Sequence, residues 1–182
     1  MSERLRLFVG LELPAAVCAA LCAWCDRVAP AAVRRVPAEN LHLTLAFLGM
    51  RPAEEVSVVG SLLAGLAAEH PPGELGTAGA LWLPQRRRPG VLTVALSDEV
   101  GLVALHGAVV VGLAGAIGFE PEARPLLAHV TVGRIARGAL RRAVELDPPP
   151  ALSFRAESLT LYRSHIGAAG VRYEPSTRVP LA

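Results

Sequence analysis

The sequence predicts an α+β fold of two similar lobes, each a mainly antiparallel sheet backed by helices, related by a pseudo-twofold axis around a central groove. Two observations lead to this expectation. A phrase of histidine, apolar residue, threonine and apolar residue occurs at 42–45 and again at 129–132, about half of the 182-residue chain apart. The segments around each copy also follow one order: strand, helix, proline-containing loop, His-x-Thr strand, helix, strand. We therefore expect one bilobal domain over residues 1–182, with halves of about 1–85 and 86–182.

The individual elements follow from apolar periodicity and from turn residues. Short apolar or alternating runs predict strands over 6–13, 41–48, 77–83, 91–96, 127–135, 154–162 and 172–179. Helical spacing predicts helices over 14–28, 52–68, 97–114 and 139–146. Proline is tolerated in a first turn, so Pro14 can open the first helix, and Ser97 or Asp98 can cap the third. Gly49 is expected to end the first motif strand, and the turn-rich segment 85–90 to connect the lobes.

Composition places the chain among globular proteins. About half of the residues are apolar (52%), which is enough to bury a core. No uninterrupted apolar run reaches the roughly 18 to 20 residues that a membrane span needs. The first residues do not follow a signal-peptide pattern. We expect a cytoplasmic monomer with no membrane partner.

The 18 basic residues are all arginine, and the chain contains no lysine. This excludes a P-loop lysine, a Schiff base and a lysine nucleophile. Guanidinium groups suit phosphate recognition because they are planar bidentate donors. A compositional bias of the genome explains the same observation, so the arginines alone do not identify a ligand.

The three cysteines, Cys18, Cys22 and Cys25, fall on one stripe of the first predicted helix. A thiolate metal site would need a fourth ligand, and no histidine is close in sequence. Cysteine as a small buried apolar residue explains the stripe more simply. We expect core packing and neither a metal nor a disulfide.

The repeated phrase carries the chemistry. In a strand, residues i and i+2 face the same way, so His42 with Thr44, and His129 with Thr131, each point to one face. Two histidines that meet across a groove can act as acid and base on a phosphate, while the hydroxyls donate to its non-bridging oxygens. A single His-x-Thr is usually structural; two copies at matched positions favour function. A metal site is the weaker alternative, since no carboxylate pair accompanies the histidines.

Residues 37–49 (PAENLHLTLAFLG) resemble the first motif region of the two-histidine phosphoesterases, in the branch of the RNA 2′,3′-cyclic phosphodiesterases, historically called 2′-5′ RNA ligases. Residues 129–134 (HVTVGR) resemble the second motif. The opening run 4–14 and the run 159–164 resemble the family's first strand and its late strand. The resemblance therefore spans nearly the whole chain.

The resemblance implies hydrolysis of an RNA-terminal 2′,3′-cyclic phosphate to a 2′-phosphate without metal, cofactor or ATP. His42 would give a proton to the leaving 3′ oxygen and His129 would activate water. Thr44 and Thr131 would hold the phosphate oxygens, and Arg134 would bind the phosphate. The family is also linked to reversible, ATP-independent joining of tRNA halves through a 2′-5′ bond.

Several alternatives stay open at this stage. The substrate could instead be a small cyclic nucleotide or a 2′-5′ oligoadenylate, or the chain could bind RNA ends without catalysis. The run Arg86–Arg88 could contact an RNA backbone, although charge runs are more often solvated turns. Phe8 and Tyr162 could lie near the groove or in the core. His165 could reach the groove from its loop, whereas His70 and His106 carry no clear signal.

Overall fold

The computed structural model describes residues 3–70, 73–98, 101–122, 124–167 and 170–181. These residues form nine strands, three α-helices and a short 3-10 helix (Ala38–Asn40). The strands are β1 (Arg4–Glu12), β2 (Val33–Arg35), β3 (His42–Pro52), β4 (Leu75–Leu83), β5 (Val91–Asp98), β6 (His129–Ile135), β7 (Ser153–Phe154), β8 (Ser158–Gly167) and β9 (Gly170–Pro180). The helices are α1 (Ala15–Val28), α2 (Glu55–Glu69) and α3 (Leu102–Ile117).

All strands join one antiparallel sheet in the order β7-β4-β5-β6-β3-β1-β8-β9, with β2 paired to β6. The expected α+β class with a mainly antiparallel sheet is confirmed. The middle of the sheet is a narrow seam, because β3 and β6 pair only at Leu43 and Val130 among the described residues. Outward from this seam, each side continues with three further strands, β5-β4-β7 on one side and β1-β8-β9 on the other.

The strands on each side of the seam come from both halves of the chain. β4 lies before residue 85 and pairs with β5, which lies after it; β1 pairs with β8, which is 146 residues further along at the Glu12–Ser158 position. These pairings cross the expected boundary at 85/86. The division into lobes by sequence halves stays a prediction, whereas the seam between β3 and β6 is the observed midline of the sheet.

The helices cover the sheet with apolar residues. On α1 the three cysteines are buried and free, and the Cys25 thiol donates to the Val132 carbonyl oxygen of β6 at 3.7 Å. Burial raises the pKa of the Cys18 and Cys25 thiols to about 11, which leaves them protonated and unreactive at neutral pH. The cysteine stripe is therefore core packing, as its spacing predicts. No described helix is both long enough and apolar enough to span a bilayer.

Several element boundaries differ from the sequence prediction. The expected helix 139–146 is wrong: this segment is irregular, with bends at residues 139 and 141, and Arg142 forms an isolated bridge with Arg87. Gly49 does not end its strand; it sits at a positive φ of 71° beside a register shift, and β3 continues to Pro52. β5 continues to Asp98 opposite Leu75, so the third helix starts at Leu102 rather than at a Ser97 or Asp98 cap.

Two further differences concern strand pairing. The short strand β2 was expected to be loop, but it adds to the edge of β6 with Arg34 opposite Arg134. The strand expected over 154–162 is two strands, because Ser153–Phe154 pairs with β4 while Ser158–Gly167 pairs with β1 and β9. Both differences depend on pairing with strands that are distant in sequence, which local periodicity cannot predict.

Candidate active site

The two His-x-Thr phrases meet at the midline of the sheet. β3 and β6 run antiparallel with Leu43 opposite Val130, and both of these residues are fully buried. Continuing that register places His42 level with Thr131 and Thr44 level with His129. All four polar side chains are partly exposed, and they share the face opposite to the two buried apolar residues. One groove therefore receives both imidazoles and both hydroxyls.

A β-bulge falls at the last residue of each phrase and turns the polar or aromatic side chain two positions later towards this face. In β6, Gly133 pairs with Leu92 and Thr131 pairs with Thr93, so Val132 is the extra residue. In β3, Ala46 pairs with Val9 and Thr44 pairs with Gly10, so Leu45 is the extra residue. The extra residue reverses the alternation of faces.

The consequence of the bulges appears five residues after each histidine. Arg134 and Phe47 are both exposed at equivalent positions of the two motif strands, although the strict alternation would bury them. Gly133 is required at the β6 bulge, because a Cβ there would lie 2.3 Å from Cγ1 of Val33. The bulge thus brings Arg134 to the side of the two histidines.

Backbone carbonyls fix the tautomer of both histidines in the same way. His42 Nδ1 lies 2.8 Å from the Asn40 carbonyl oxygen, and His129 Nδ1 lies 2.7 Å from the Leu127 carbonyl oxygen. A carbonyl only accepts, so each Nδ1 carries the proton and each Nε2 is the reactive nitrogen. At His42, Thr44 Oγ1 lies 3.1 Å from Nε2 and donates to it when the ring is neutral.

Asn40 also attaches the His42 strand to β9. Its amide Nδ2 donates to the Val171 carbonyl oxygen at 3.0 Å, and its Oδ1 accepts from the Tyr173 backbone N–H at 3.2 Å. The Asn40 backbone carbonyl meanwhile orients His42. One buried residue therefore fixes both the histidine and the strand that covers it.

An aromatic cluster packs around His42. The Phe8 ring centroid lies 4.8 Å from the imidazole, and the Tyr173 ring meets it edge-on at 5.0 Å. Phe8 in turn stacks on Tyr162 at 4.9 Å. Phe8 and Tyr162 are buried, but neither belongs to the main hydrophobic core; both rings pack beside His42, so the two residues lie at the groove. Burial raises the pKa of the Tyr162 phenol to about 12.

This environment lowers the pKa of His42 to about 4. Burial is the main cause, since it disfavours the charged ring, and the positive charge of Arg134 and the neighbouring His129 act in the same direction. The hydrogen bond to the Asn40 carbonyl opposes the shift only in part. At neutral pH His42 is therefore neutral, and its Nε2 accepts the hydrogen bond from the Thr44 hydroxyl.

Arg134 lies over the His42 side of the groove. Its Nη2 donates to the Tyr173 hydroxyl oxygen at 3.1 Å, and Tyr173 itself packs against His42. None of the ion pairs between described residues involves Arg134. Its guanidinium therefore keeps donors for an anion placed between the histidines.

A cavity of about 750 Å³ opens on the Thr44 and His129 side of the groove. Phe47, His106 and Leu127 lie on its wall, and Phe47 leaves 63% of its surface exposed. The cavity is of the size that holds a nucleotide, and its lining is largely apolar. His42, Thr131 and Arg134 are not part of this lining; they lie at the other end of the groove, beyond the Leu43–Val130 pair along the same two strands.

The remaining histidines differ in their surroundings. His106 of α3 reaches the cavity wall, and burial lowers its pKa. His165 lies on β8, where its Nε2 is 2.8 Å from Glu174 Oε2 in an ion-pair arrangement outside the cavity lining. His70 caps the C-terminus of α2. His106 was missed from sequence because a lone histidine in an apolar helix gives no signal.

Sequence reasoning also missed the roles of Asn40, Phe47 and Tyr173. The asparagine was noted only as part of the resemblance. Strict strand alternation would assign Phe47 to the core, because the bulge at Leu45 is not visible in the sequence. Tyr173 lies on β9, whose pairing is not visible in the sequence. Among the residues that the structure describes, no group of three or more metal-ligating side chains comes together.

Comparison with known proteins agrees with this geometry. A family model described as "LigT like Phosphoesterase" matches residues 11–93. An RNA 2′,3′-cyclic phosphodiesterase of Escherichia coli is 34% identical over 98% of this chain and 97% of its own length.

Solved structures show the same fold along the whole chain. The crystal structure of TT0787 from Thermus thermophilus superposes with a TM-score of 0.83 at 29% identity and covers 97% of both chains. The E. coli LigT structure complexed with 3′-AMP gives a TM-score of 0.80 at 31% identity and covers 99% of both chains. The chain therefore belongs to the LigT-like phosphoesterases, in the cyclic phosphodiesterase branch of the two-histidine family.

Proposed function

We propose that this protein hydrolyses the 2′,3′-cyclic phosphate at the 3′ end of an RNA to a 2′-phosphate by acid–base catalysis from His42 and His129. The observation that best supports the proposal is the antiparallel meeting of the two motif strands at Leu43 and Val130. It gives one groove two imidazoles whose Nδ1 atoms are bound to backbone carbonyls, which leaves the two Nε2 atoms as the reacting nitrogens. The relatives named RNA 2′,3′-cyclic phosphodiesterase, and the nucleotide held by the E. coli protein, agree with it.

In the proposed reaction the phosphorus atom lies between the two Nε2 atoms. His129 Nε2 takes a proton from water, and the water oxygen forms a bond to phosphorus while the bond from phosphorus to O3′ breaks. His42 Nε2–H gives its proton to O3′, which leaves as a hydroxyl. A proton then returns from His129 to His42 through solvent. The products are a 2′-phosphate monoester and a free 3′-hydroxyl, and neither a metal nor ATP takes part.

The negative charge of the phosphate makes His42 competent as the acid. In the empty site burial, Arg134 and His129 hold the pKa of His42 at about 4. A phosphate anion placed between these groups counteracts the positive charges and favours the protonated ring, so its pKa rises on binding. Thr44, which bonds His42 Nε2 in the empty site, is then free to donate to a phosphate oxygen. Thr131 and Arg134 supply donors for the charge that grows in the transition state.

The experiment uses an RNA oligomer that ends in a 2′,3′-cyclic phosphate, in excess EDTA, with the wild type and the variants His42→Gln and His129→Gln. We expect a 2′-phosphate product, identified by ³¹P NMR, and a loss of kcat of at least ~100-fold in each variant. His165→Gln is the matched control, because this histidine pairs with Glu174 away from the cavity. It should keep wild-type kcat.

Two results would overturn the proposal. A wild-type kcat in either motif variant would exclude the two-histidine mechanism. Loss of wild-type activity in EDTA would exclude the metal-free mechanism. The same assay with adenosine 2′,3′-cyclic phosphate and with a 2′-5′ oligoadenylate tests the smaller substrates. Adding an RNA with a 5′-hydroxyl tests the reverse joining reaction, in which that hydroxyl takes the place of water.

A further inference from the structure

The strongest group of charges outside the site is a set of arginines at the tip of the β4–β5 hairpin. Segment 86–88 pairs with segment 141–143: Arg88 N–H donates to the Arg141 carbonyl oxygen at 3.1 Å, and Ala143 N–H donates to the Arg86 carbonyl oxygen at 2.7 Å. Arg87 and Arg142 stand directly opposite each other in this bridge. We call Arg87, Arg88, Arg141 and Arg142 the arginine ladder.

The ladder is electrostatically unfavourable for the isolated protein. The two backbone bonds flank the Arg87–Arg142 pair without joining it, which is the narrow type of antiparallel pair in which side chains come closest. Like charges directly opposite each other destabilise a sheet. Arg88 also adopts a left-handed φ of 55°, where glycine or asparagine would be less strained.

No carboxylate of the described part of the chain forms an ion pair with these four side chains. All four side chains are exposed. The neighbouring Arg86 shares a small surface cavity with Glu145, and for that reason it is left out of the ladder. The ladder is thus a compact cationic surface whose counter-charge is not supplied by the fold described here.

The position of the ladder connects it to the active site. Leu83, Pro84 and Val91, where β4 and β5 meet their connecting loop, line the main cavity together with Thr44 and His129. Val91 also lies opposite Arg134 across β5 and β6. The cationic surface therefore begins a few residues along the chain from the cavity rim.

We propose that the arginine ladder binds the phosphodiester backbone of the RNA on the 5′ side of the nucleotide that carries the cyclic phosphate. The inference rests on the proposed function and adds a second contact region to it. A mononucleotide fills the cavity alone, whereas a longer strand that leaves the cavity past Pro84 meets the ladder and neutralises it. The repeated charge beside the rim matches a strand of regularly spaced phosphates, and arginine binds phosphate through paired donors.

The test compares the double variant Arg87→Ala/Arg142→Ala with the wild type on two substrates, an oligomer ending in a 2′,3′-cyclic phosphate and adenosine 2′,3′-cyclic phosphate. Each single-strand phosphate contact contributes about 0.7 to the slope of log affinity against log salt. Loss of two contacts therefore raises KM for the oligomer about 25-fold at 0.1 M salt and lowers the magnitude of the salt slope by about 1.4. The kcat for both substrates, and KM for the mononucleotide, should stay within about twofold.

Two controls separate charge from structure. Arg87→Lys/Arg142→Lys keeps both charges, so it should keep most of the affinity and the salt slope. Arg27→Ala/Arg155→Ala removes the same net charge from two exposed arginines elsewhere and should leave both substrates unaffected. An alanine pair that unfolds more easily than the wild type would contradict the repulsion described above.

The remaining outcomes are distinguishable. An equal rise of KM for both substrates, or no change for either, would overturn the inference while the proposed function stands. In the second case, binding of the wild type to acidic vesicles would assign the ladder to a membrane surface instead. A wild type that hydrolyses neither substrate would instead refute the proposed function.

Discussion

Mild acid should lower the free energy of unfolding of this protein, because His42 is protonated more easily in the unfolded chain than in the native site. The pKa of His42 is about 4 in the native site, against about 6.5 in an unfolded chain. Between these values the unfolded chain binds a proton that the native protein does not bind. The stability that depends on neutral His42 is therefore fully present above pH 6.5 and is lost as the pH falls towards 4.

The magnitude follows from the same two values. At pH 5.0 the unfolded ring is mostly protonated and the native ring mostly neutral, which lowers the free energy of unfolding by about 2 kcal/mol relative to pH 7.5. The variant His42→Gln has no proton to gain at this position. All other titrating groups are common to both proteins, so their contributions largely cancel in the comparison.

The assay is urea unfolding followed by circular dichroism at pH 7.5 and 5.0 for the wild type and His42→Gln. The wild type should lose about 2 kcal/mol more than the variant between the two conditions. An NMR titration of the His42 ring gives an independent value for its pKa. Equal losses in both proteins, to within about 0.5 kcal/mol, would show that His42 is solvated and that the burial argument is wrong.

Three further predictions test the frame of the site. Gly10→Ala should destabilise the fold by about 1 to 3 kcal/mol, measured as a lower Tm. The new Cβ would lie 2.7 Å from the Leu43 carbonyl oxygen and 3.4 Å from the His42 ring. Gly65→Ala, with open space around it on α2, should instead stabilise the fold by about 0.5 to 1 kcal/mol. Asn40→Ala removes both hydrogen bonds to β9. It should lower the free energy of unfolding in urea by about 1 to 3 kcal/mol and should also lower kcat. An unchanged kcat would mean that His42 is held by other contacts. Phe47→Ala should leave stability nearly unchanged but raise KM about 5- to 100-fold by loss of base stacking. Ile166→Ala, at a similar exposure of 69%, should leave KM unchanged. Equal KM values for the two variants would exclude stacking on Phe47.

The sequence predicted the motif faces correctly because strand alternation is a local rule. His42 with Thr44, and His129 with Thr131, share one face for the reason that period-two spacing gives. Alternation alone could not place Arg134 and Phe47 on that same face, because each depends on one extra residue in a strand; Arg134 was expected at the phosphate only from the family resemblance. Gly133 was the available signal, since an isolated glycine within a strand often marks a bulge.

Long-range pairing explains most of the remaining errors. The segment 139–146 contains enough alanine, leucine and arginine to resemble a helix, yet it is irregular, and its residues 141–143 pair with the β4–β5 connection around Arg87. β8 lies beside β1 although most of the chain separates them. Such contacts are set by the closure of the whole sheet and leave no trace in local periodicity.

The equivalent positions of Phe47 and Arg134 have a consequence for the direction in which a ligand lies. Two antiparallel strands with the same bulge offer an elongated molecule two nearly identical orientations, head to tail or tail to head. The side chain five residues after each histidine distinguishes the two orientations. One end of the groove carries the Phe47 ring, and the other end carries the Arg134 guanidinium. A nucleotide is itself polar in this sense, with a flat base at one end and a charged group at the other. Two strands with similar bulges thus favour one orientation of an elongated ligand through a difference at a single pair of positions, Phe47 and Arg134.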